Sequence, residues 1–581
     1  MPRSKKFNDA ISKRILALSV TVGIVAGLGA LLFYTLLHLS SAIFLNYICN
    51  YYPPSAPGEI SPIELHFNPA NGIRRWLLIL IPTLGGLASG IIVYSFAPEA
   101  EGHGTDAVIE AVHNKGGKIR GRVPIIKTIA SAITIGSGGS AGREGPIAQI
   151  GAGFASILSQ KLKLSPKERE LLVICGAGAG IGSIFKAPFG GALFGIEVLY
   201  KRDYEVEAFI PAIISSFIGY GVFALATGWQ PIFIAPPYTF NPLELPFFAI
   251  LGIISGIVSI LYITVFYGLR DKFFKQMRIP DHFKPAIGGF LLGLMAYFFP
   301  AVLGPGYGWL QLSMAGKLAL SLMVILIFAK ILATSFTISS GGSGGVFAPS
   351  AFIGAMLGGA IGLIFHMLFP TVVSKPEIFA LIGMGAFFSG AAKVPIAAII
   401  IISEMTGDYN ILIPAILASS MAYLVSGDYT IYEKQVLTRA DSPIHIPELL
   451  SGILSSLKVK NVMTKDVITI KPTATIDELE KLINESGHLG FPVVNEKGEL
   501  VGIVTYEDVI KVKPEERPKM KVEDIETRKL IVAHPNETLD AVLRKIVLHD
   551  ISRLPVVDPK NPKKLVGIIT RYDIARAIHV K

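Results

Sequence analysis

Cysteine is almost missing from this 581-residue chain: Cys49 and Cys175 are the only two, and neither has a cysteine or histidine neighbour at metal-ligand spacing. That excludes zinc knuckles, CxxC redox sites and a disulfide framework. Charge is scarce as well, at 17% against 51% hydrophobic residues, which marks a chain whose larger part lies in a lipid bilayer. There is no Walker A loop, no HExxH and no acid–base cluster beyond isolated glutamates in apolar segments. An enzyme, catalytic residues and a metal site are therefore not expected. The formal charge is +10, yet the lysines and arginines are scattered without a basic stripe, which argues against nucleic acid as a partner. The marks of a cleavable signal peptide are missing too, since no small-residue cleavage site ends a short apolar stretch near the N-terminus.

What is present begins with Arg3, Lys5, Lys6, Lys13 and Arg14, a basic run placed directly before the first apolar segment. Such a run predicts a cytoplasmic N-terminus. Apolar segments then recur from Ile15 to about Val436. Many are shorter than the roughly 20 residues of a full span, and Gly and Pro break them, which a bilayer tolerates only where the freed backbone is buried or lines a cavity. Partial helices meeting near the membrane centre are the expectation.

Two pieces of this region resemble each other. Residues 137–154 read SGGSAGREGPIAQIGAGF and residues 340–357 read SGGSGGVFAPSAFIGAML. Pro188 precedes Glu197 by nine residues, as Pro395 precedes Glu404. The offset is about 205 residues in both cases, the mark of duplicated halves with a substrate site between them. Glycine at a helix start lets backbone N–H groups and the positive end of the dipole approach a small anion, although GGSGG and GSGGS also suit close packing between membrane helices. Glu144 stands out. A carboxylate at a helix start inside an apolar segment is costly and functional by default; it would occupy the anion site itself and vacate it on protonation, acting as a gate, unless it merely pairs with Arg143.

After Glu433 charges become frequent, and a second repeat appears: GFPVVNEKGELVGIVTYEDVI from Gly490 matches RLPVVDPKNPKKLVGIITRYDIA from Arg553. Each copy follows an amphipathic helix, predicted over Ile476–Ser486 and Leu539–Leu548, and each reads as a small α/β module that needs the other for a core.

GREGP at Gly142 to Pro146, GVFAP at Gly345 to Pro349 and the GxG of Gly102 to Gly104 resemble the signature loops that bind chloride in the CLC family of chloride channels and exchangers. The resemblance extends through KAPFGGALFGIEVLY, AAKVPIAAIIIISEMTGDY and the IYE around Tyr432. It implies an all-α polytopic membrane domain of two inverted repeats of broken helices. The assembly implied is a homodimer in the lipid bilayer of the cell membrane, with both termini cytoplasmic and one anion pathway per subunit. The gate is then Glu144, and the anion-binding set Gly102, His103, Gly104, Gly142, Arg143, Gly145, Gly345, Val346, Phe347 and Tyr432. Two departures matter. His103 stands where chloride members commonly carry serine, and Thr105 and Asp106 replace the usual Ile-Pro pair, so nitrate or fluoride join chloride as candidate substrates. Val198 follows Glu197 where exchangers carry a second, proton-relaying glutamate and channel members often carry valine.

The tail resembles a tandem pair of CBS domains. Thr505 with Asp508, and Thr570 with Asp573, match its nucleotide-contacting segment, implying an adenine nucleotide (ATP, ADP or AMP) as a possible ligand. No cofactor is required for transport. The expected organisation is a cytoplasmic N-terminal segment 1–14, a transport domain 15–440, a linker 441–456, and CBS domains 457–513 and 519–581. The expected function is a voltage-gated chloride channel-like pore gated by Glu144 and regulated by the CBS pair. The alternative is a proton-coupled antiporter for chloride, nitrate or fluoride, and more remotely a CBS-regulated cation transporter.

Overall fold

A computed structural model describes residues 13–60, 72–445 and 452–579. Arg3, Lys5 and Lys6 of the basic run, and residues 446–451 of the expected linker, lie outside the described residues. The chain divides into one unit ending at Ile444 and a second beginning at His445.

The first unit contains sixteen α-helices among the described residues, eight in each half of the repeat. The first eight are α1 (Lys13–Ser41), α2 (Leu77–Phe96), α3 (Thr105–Lys115), α4 (Val123–Gly136), α5 (Glu144–Lys161), α6 (Pro166–Ile184), α7 (Pro188–Glu197) and α8 (Phe209–Thr227). Their counterparts are α9 (Leu245–Leu269), α10 (Lys284–Phe298), α11 (Tyr307–Met314), α12 (Leu320–Ser339), α13 (Phe347–Leu368), α14 (Glu377–Ala392), α15 (Pro395–Thr406) and α16 (Leu412–Val425). The helices α1, α2, α8, α9, α12 and α13 are long and apolar enough to cross a membrane, whereas α4, α14, α15 and α16 are apolar but shorter. Proline sits in the first turn of α4, α6, α7, α9, α10 and α15. Its fixed φ suits a helix start and its missing N–H costs nothing there, so these prolines set where the broken helices begin.

Packing repeats with the sequence. α1 lies on α6 and α8, as α9 lies on α14 and α16; α5 packs on α6, as α13 packs on α14. The last contact depends on glycine in both halves. A Cβ on Gly151 would strike the carbonyl of Gly176, and one on Gly354 that of Gly383, so the backbones touch where no side chain fits. Between the halves, α2 packs on α10 and α7 on α15. This second contact is reciprocal. Glu197, ending α7, accepts the N–H groups of Ile396 (3.1 Å) and Ala397 (2.7 Å) at the start of α15. Glu404 of α15 accepts those of Phe189 (3.2 Å) and Gly190 (2.8 Å) at the start of α7. Each carboxylate caps the opposite half's helix, satisfying N–H groups that have no partner within that helix.

The second unit holds two antiparallel hairpins, β1 (Gly490–Val494) with β2 (Leu500–Thr505) and β3 (Arg553–Asp558) with β4 (Asn561–Thr570). Their registers agree, Val493 facing Gly502 and Val556 facing Gly567. The predicted helices Ile476–Ser486 and Leu539–Leu548 form with matching buried stripes, Ile476, Leu479 and Ile483 in one and Leu539, Val542 and Ile546 in the other. The copies also exchange elements. Val459 joins the core around Ala533, Leu539 and Ile569, while Val522 joins that around Ile476 and Phe491. Thr464 bridges to Ile568, and Thr527 to Ile503. The start of each copy therefore completes the other's core, which the sequence boundaries 457–513 and 519–581 do not convey.

Candidate functional site

Gly142 and Gly345, at equivalent positions of the two halves, exchange backbone hydrogen bonds of 2.7 and 2.6 Å. This antiparallel contact brings the first turns of α5 and α13 together, so that equivalent helices point at one another as inverted repeats require. Glu144 opens α5, and its side chain crosses between the halves. Its Oε1 accepts the N–H of Phe347, the first residue of α13, and it is only 1% exposed. A Cβ on Gly142 or Gly345 would collide with this carboxylate. The glycines thus leave room for an anionic group where two helix starts favour negative charge. Val346 precedes Phe347 as the helix N-cap residue and is fully buried.

His103 forms the next wall. Gly102 and Gly104 take left-handed φ values of +64° and +83°, and this turn presses the His103 carbonyl against Gly145, where a Cβ would not fit. Lys127 of α4 holds the turn from behind, donating to Ala100 O (3.0 Å) and Gly102 O (2.7 Å). The His103 ring lies 5.3 Å from that of Tyr432, and Tyr432 is completely buried. The hydroxyls of Tyr432 and Thr105 lie close to each other; those of Tyr432, Thr105 and Tyr262 have no well-formed hydrogen-bond partner among the described residues, and neither does His103 Nδ1. Buried polar groups ordinarily find partners. The Tyr432 and Tyr262 hydroxyls, both within the field of the Glu144 carboxylate, are donors that suit a small anion as the group that completes them.

The structure brings together Glu144, Gly142, Gly145, Gly345, Val346, Phe347, Gly102, His103, Gly104 and Tyr432. The Arg143 side chain goes elsewhere. Its guanidinium pairs with Glu59 at 2.7 Å and lies over the rings of Tyr307 (4.8 Å), Tyr34 (5.3 Å) and Phe185 (5.5 Å). There it helps line a cavity of about 440 Å³ with His38, Glu59 and the Gly304–Gly306 turn. Among the described residues Glu144 does not use it as an ion-pair partner, and His103 Nε2 meets Asp106 Oδ2 at 3.2 Å. Val198 is buried, and its carbonyl accepts Gln435 Nε2 at 3.1 Å.

In the second unit, Thr505 donates through Oγ1 to Asp508 Oδ2 (2.8 Å) and through its N–H to the same atom (3.0 Å). Thr570 and Asp573 repeat this at 2.7 and 2.9 Å. Both pairs close capping boxes at helix starts. Arg553 was not singled out by sequence; its Nη1 donates to Gly490 O at 3.0 Å and links the two hairpins. Also missed were Tyr262, Lys127 and Glu59, while Thr105 was marked only as a departure from the usual Ile-Pro pair. A lone lysine in the apolar stretch of α4 was a readable signal for Lys127, whereas nothing marked Tyr262 among its aromatic neighbours.

The sequence profile described as voltage gated chloride channel matches residues 85–427, and the CBS domain profile matches 459–515 and 522–580. The H(+)/Cl(-) exchange transporter ClcA of Vibrio cholerae is 29% identical over 412 residues, covering 70% of this chain and 84% of that protein. A putative chloride channel protein, ClcB-like, of Ralstonia nicotianae is 28% identical over 65% of this chain and 90% of its own length. The chloride channel protein CLC-f of Arabidopsis thaliana is 27% identical over 85% of this chain and 73% of its own. Among solved structures, a slow cyanobacterial Cl-/H+ antiporter superposes with a TM-score of 0.62 at 23% identity, over 72% of this chain and 95% of that one. A eukaryotic CLC transporter does so at 0.58 and 19%, over 96% and 98%. Family and fold agree, and the chain belongs to the CLC family of membrane anion transporters, extended by a CBS pair.

Proposed function

We propose that this protein exchanges chloride for protons across the membrane, with Glu144 as the group that serves both. The carrying observation is the Glu144 carboxylate on the Phe347 amide, in the place that the two helix starts make favourable for an anion. As a carboxylate it competes with chloride for those N–H groups; protonated, it loses its hold on them and yields the position. An occupant displaced by taking up a proton gives alternation of chloride and proton at one locus. The exchanger named among the relatives, at 29% identity over most of its length, favours this reading over the passive conduction expected from Val198. Chloride is the substrate the relatives' names support, with His103 as the residue that would bias the choice toward another anion.

Lys13 and Arg14 in the first turn of α1, and a soluble tail, favour cytoplasmic placement of both termini. In that orientation Arg143, Glu59 and their cavity face outside, and Tyr432 with Asp106 faces the cytoplasm. A homodimer is the assembly expected of the family, and the CBS pair the regulatory part.

The test is reconstitution into liposomes with chloride and proton fluxes recorded together. Wild type is expected to take up protons against a chloride gradient in fixed ratio, and Glu144→Gln to move chloride without protons. Chloride flux that leaves the proton gradient untouched in wild type sinks the exchange reading and restores the channel.

A further inference from the structure

At the cytoplasmic end of the path, the position after Glu197 is filled by buried Val198, which holds no proton. A charged side chain on that side is Asp106, on the first turn of α3, one turn from His103. Its Oδ1 accepts the N–H of Lys434 at 3.1 Å, fixing it, and its Oδ2 meets His103 Nε2 at 3.2 Å. The exposures are graded, 18% for the Asp106 side chain and 9% for that of His103, so the pair leads from solvent inward. At the inner end His103 Nδ1 is buried and has no partner among the described residues, and the imidazole lies within electrostatic reach of the Glu144 carboxylate.

We infer that His103 and Asp106 form the proton-transfer pair at the cytoplasmic end of the path, in place of the carboxylate that Val198 cannot supply. The inference rests on the exchange reading of Glu144. Asp106 selects the tautomer with hydrogen on Nε2, since its carboxylate accepts there, and leaves the buried Nδ1 with a free lone pair. A proton arriving on Glu144 passes inward as its O–H bond breaks and an Nδ1–H bond forms. The imidazolium stands against the Asp106 carboxylate. Its Nε2–H bond then breaks, and the proton passes to Asp106 and from it to cytoplasmic water. The starting tautomer returns when water takes the Nδ1 proton while another proton is delivered to Nε2, and outward transfer runs the same bonds in reverse. While protonated, the ring adds a positive charge beside the anion site, which ties chloride occupancy to the proton.

The other groups around His103 have fixed duties. Tyr432 presents its ring. Lys127 is held by two carbonyls behind the turn, with Glu101 in its field. Farther out, Glu433 is paired with Arg270 at 2.9 Å, and Tyr267 donates to Ile431 O at 2.6 Å.

The test measures the ratio of protons to chloride in liposomes holding the full-length protein, for wild type, His103→Gln and Asp106→Asn, at several internal pH values. A fall in the ratio of roughly tenfold or more is expected for either variant, with partial recovery when Val198→Glu is added to His103→Gln. A displaced internal-pH dependence in Asp106→Asn is the reading that loss of structure alone would not produce. A coupled wild type whose ratio survives both substitutions overturns the pair and leaves the exchange reading standing. An uncoupled wild type overturns both. Should His103→Gln not yield folded protein, Asp106→Asn decides by the same ratio.

Discussion

Replacing Glu197 by alanine removes the acceptor of two N–H groups at once, those of Ile396 and Ala397 in the first turn of α15. Their replacement by water is unfavourable where Leu193, Ile196, Val206, Phe209 and Ile396 make the surroundings apolar. A buried N–H left without an acceptor costs about 1–3 kcal/mol, so the substitution destabilises by ~2–6 kcal/mol; a fully water-exposed cap would lose about 0.5–2. Glutamine keeps one acceptor oxygen and is expected to lose about half as much as alanine. Glu404→Ala, which uncaps α7 through Phe189 and Gly190, is expected to match Glu197→Ala. The assay is the thermal transition of detergent-purified protein, read as loss of the monodisperse species, alongside the proton-to-chloride ratio in liposomes. An order of stability wild type, Gln, Ala with the ratio unchanged fits a brace between the halves. A Glu197→Ala protein with unaltered stability and a lowered ratio would refute the reasoning and make the carboxylate a proton carrier.

Glu59→Gln leaves the Arg143 guanidinium, 2% exposed, without a counter-charge; a loss of about 3–5 kcal/mol is expected for a broken buried pair, and thermal melting measures it. Gly151→Val and Gly354→Val each drive a side chain into a facing carbonyl, so neither is expected to give folded protein by size-exclusion profile. Lys127→Met and Lys330→Met separate equivalent residues. Lys330 donates to Val302 O (2.9 Å) and Gly304 O (2.7 Å) in the turn that lines the Arg143 cavity and carries no histidine or acid, so its loss is expected to lower stability but spare the flux ratio, whereas Lys127→Met is expected to slow chloride flux by releasing the His103 turn. For the CBS pair, AMP, ADP or ATP is expected to raise the melting temperature of the full-length protein. Asp573→Ala is expected to lower the basal transition by ~0.5–2 kcal/mol of capping; no shift with any of the three nucleotides removes them as ligands.

The parts legible in the sequence are those that rest on local rules. Glycine turns before helix starts, Pro at the first helical positions, an acid in an apolar segment and the matched stripes of Ile476–Ser486 and Leu539–Leu548 all report through spacing. The contacts that assemble the site do not. The Gly304–Gly306 turn escaped notice because its middle residue is Pro305, yet its φ values of +61° and +81° copy those of Gly102 and Gly104. Tyr262 and Thr105 reach the anion site only through the packing of α9 and α3, and Arg143 leaves it because Glu59 and three aromatic rings hold its guanidinium elsewhere. Exchange of the first segments between the CBS copies is equally invisible, since Val459 and Val522 look alike to any reading of one copy at a time.

Comparing equivalent positions of the halves separates scaffold from transport. Where the halves keep the same residue, the residue builds: Gly142 and Gly345 bridge, Gly151 and Gly354 let helices touch, Lys127 and Lys330 tie down turns, and Glu197 and Glu404 cap. Where they differ, the first half carries the chemistry. Glu144 faces Phe347, His103 corresponds to Pro305, Thr105 to Tyr307, and Asp106 to Gly308. A duplicated fold with identical halves would offer two equal helix starts and no titratable group between them, hence an anion site without a means of coupling. Divergence put a carboxylate on one start and left the other its amides, so a single side chain competes with the transported ion. The same asymmetry gives His103 a carboxylate partner that Pro305 lacks, and this is why substitutions at diverged positions are expected to change the flux ratio while those at shared positions change stability.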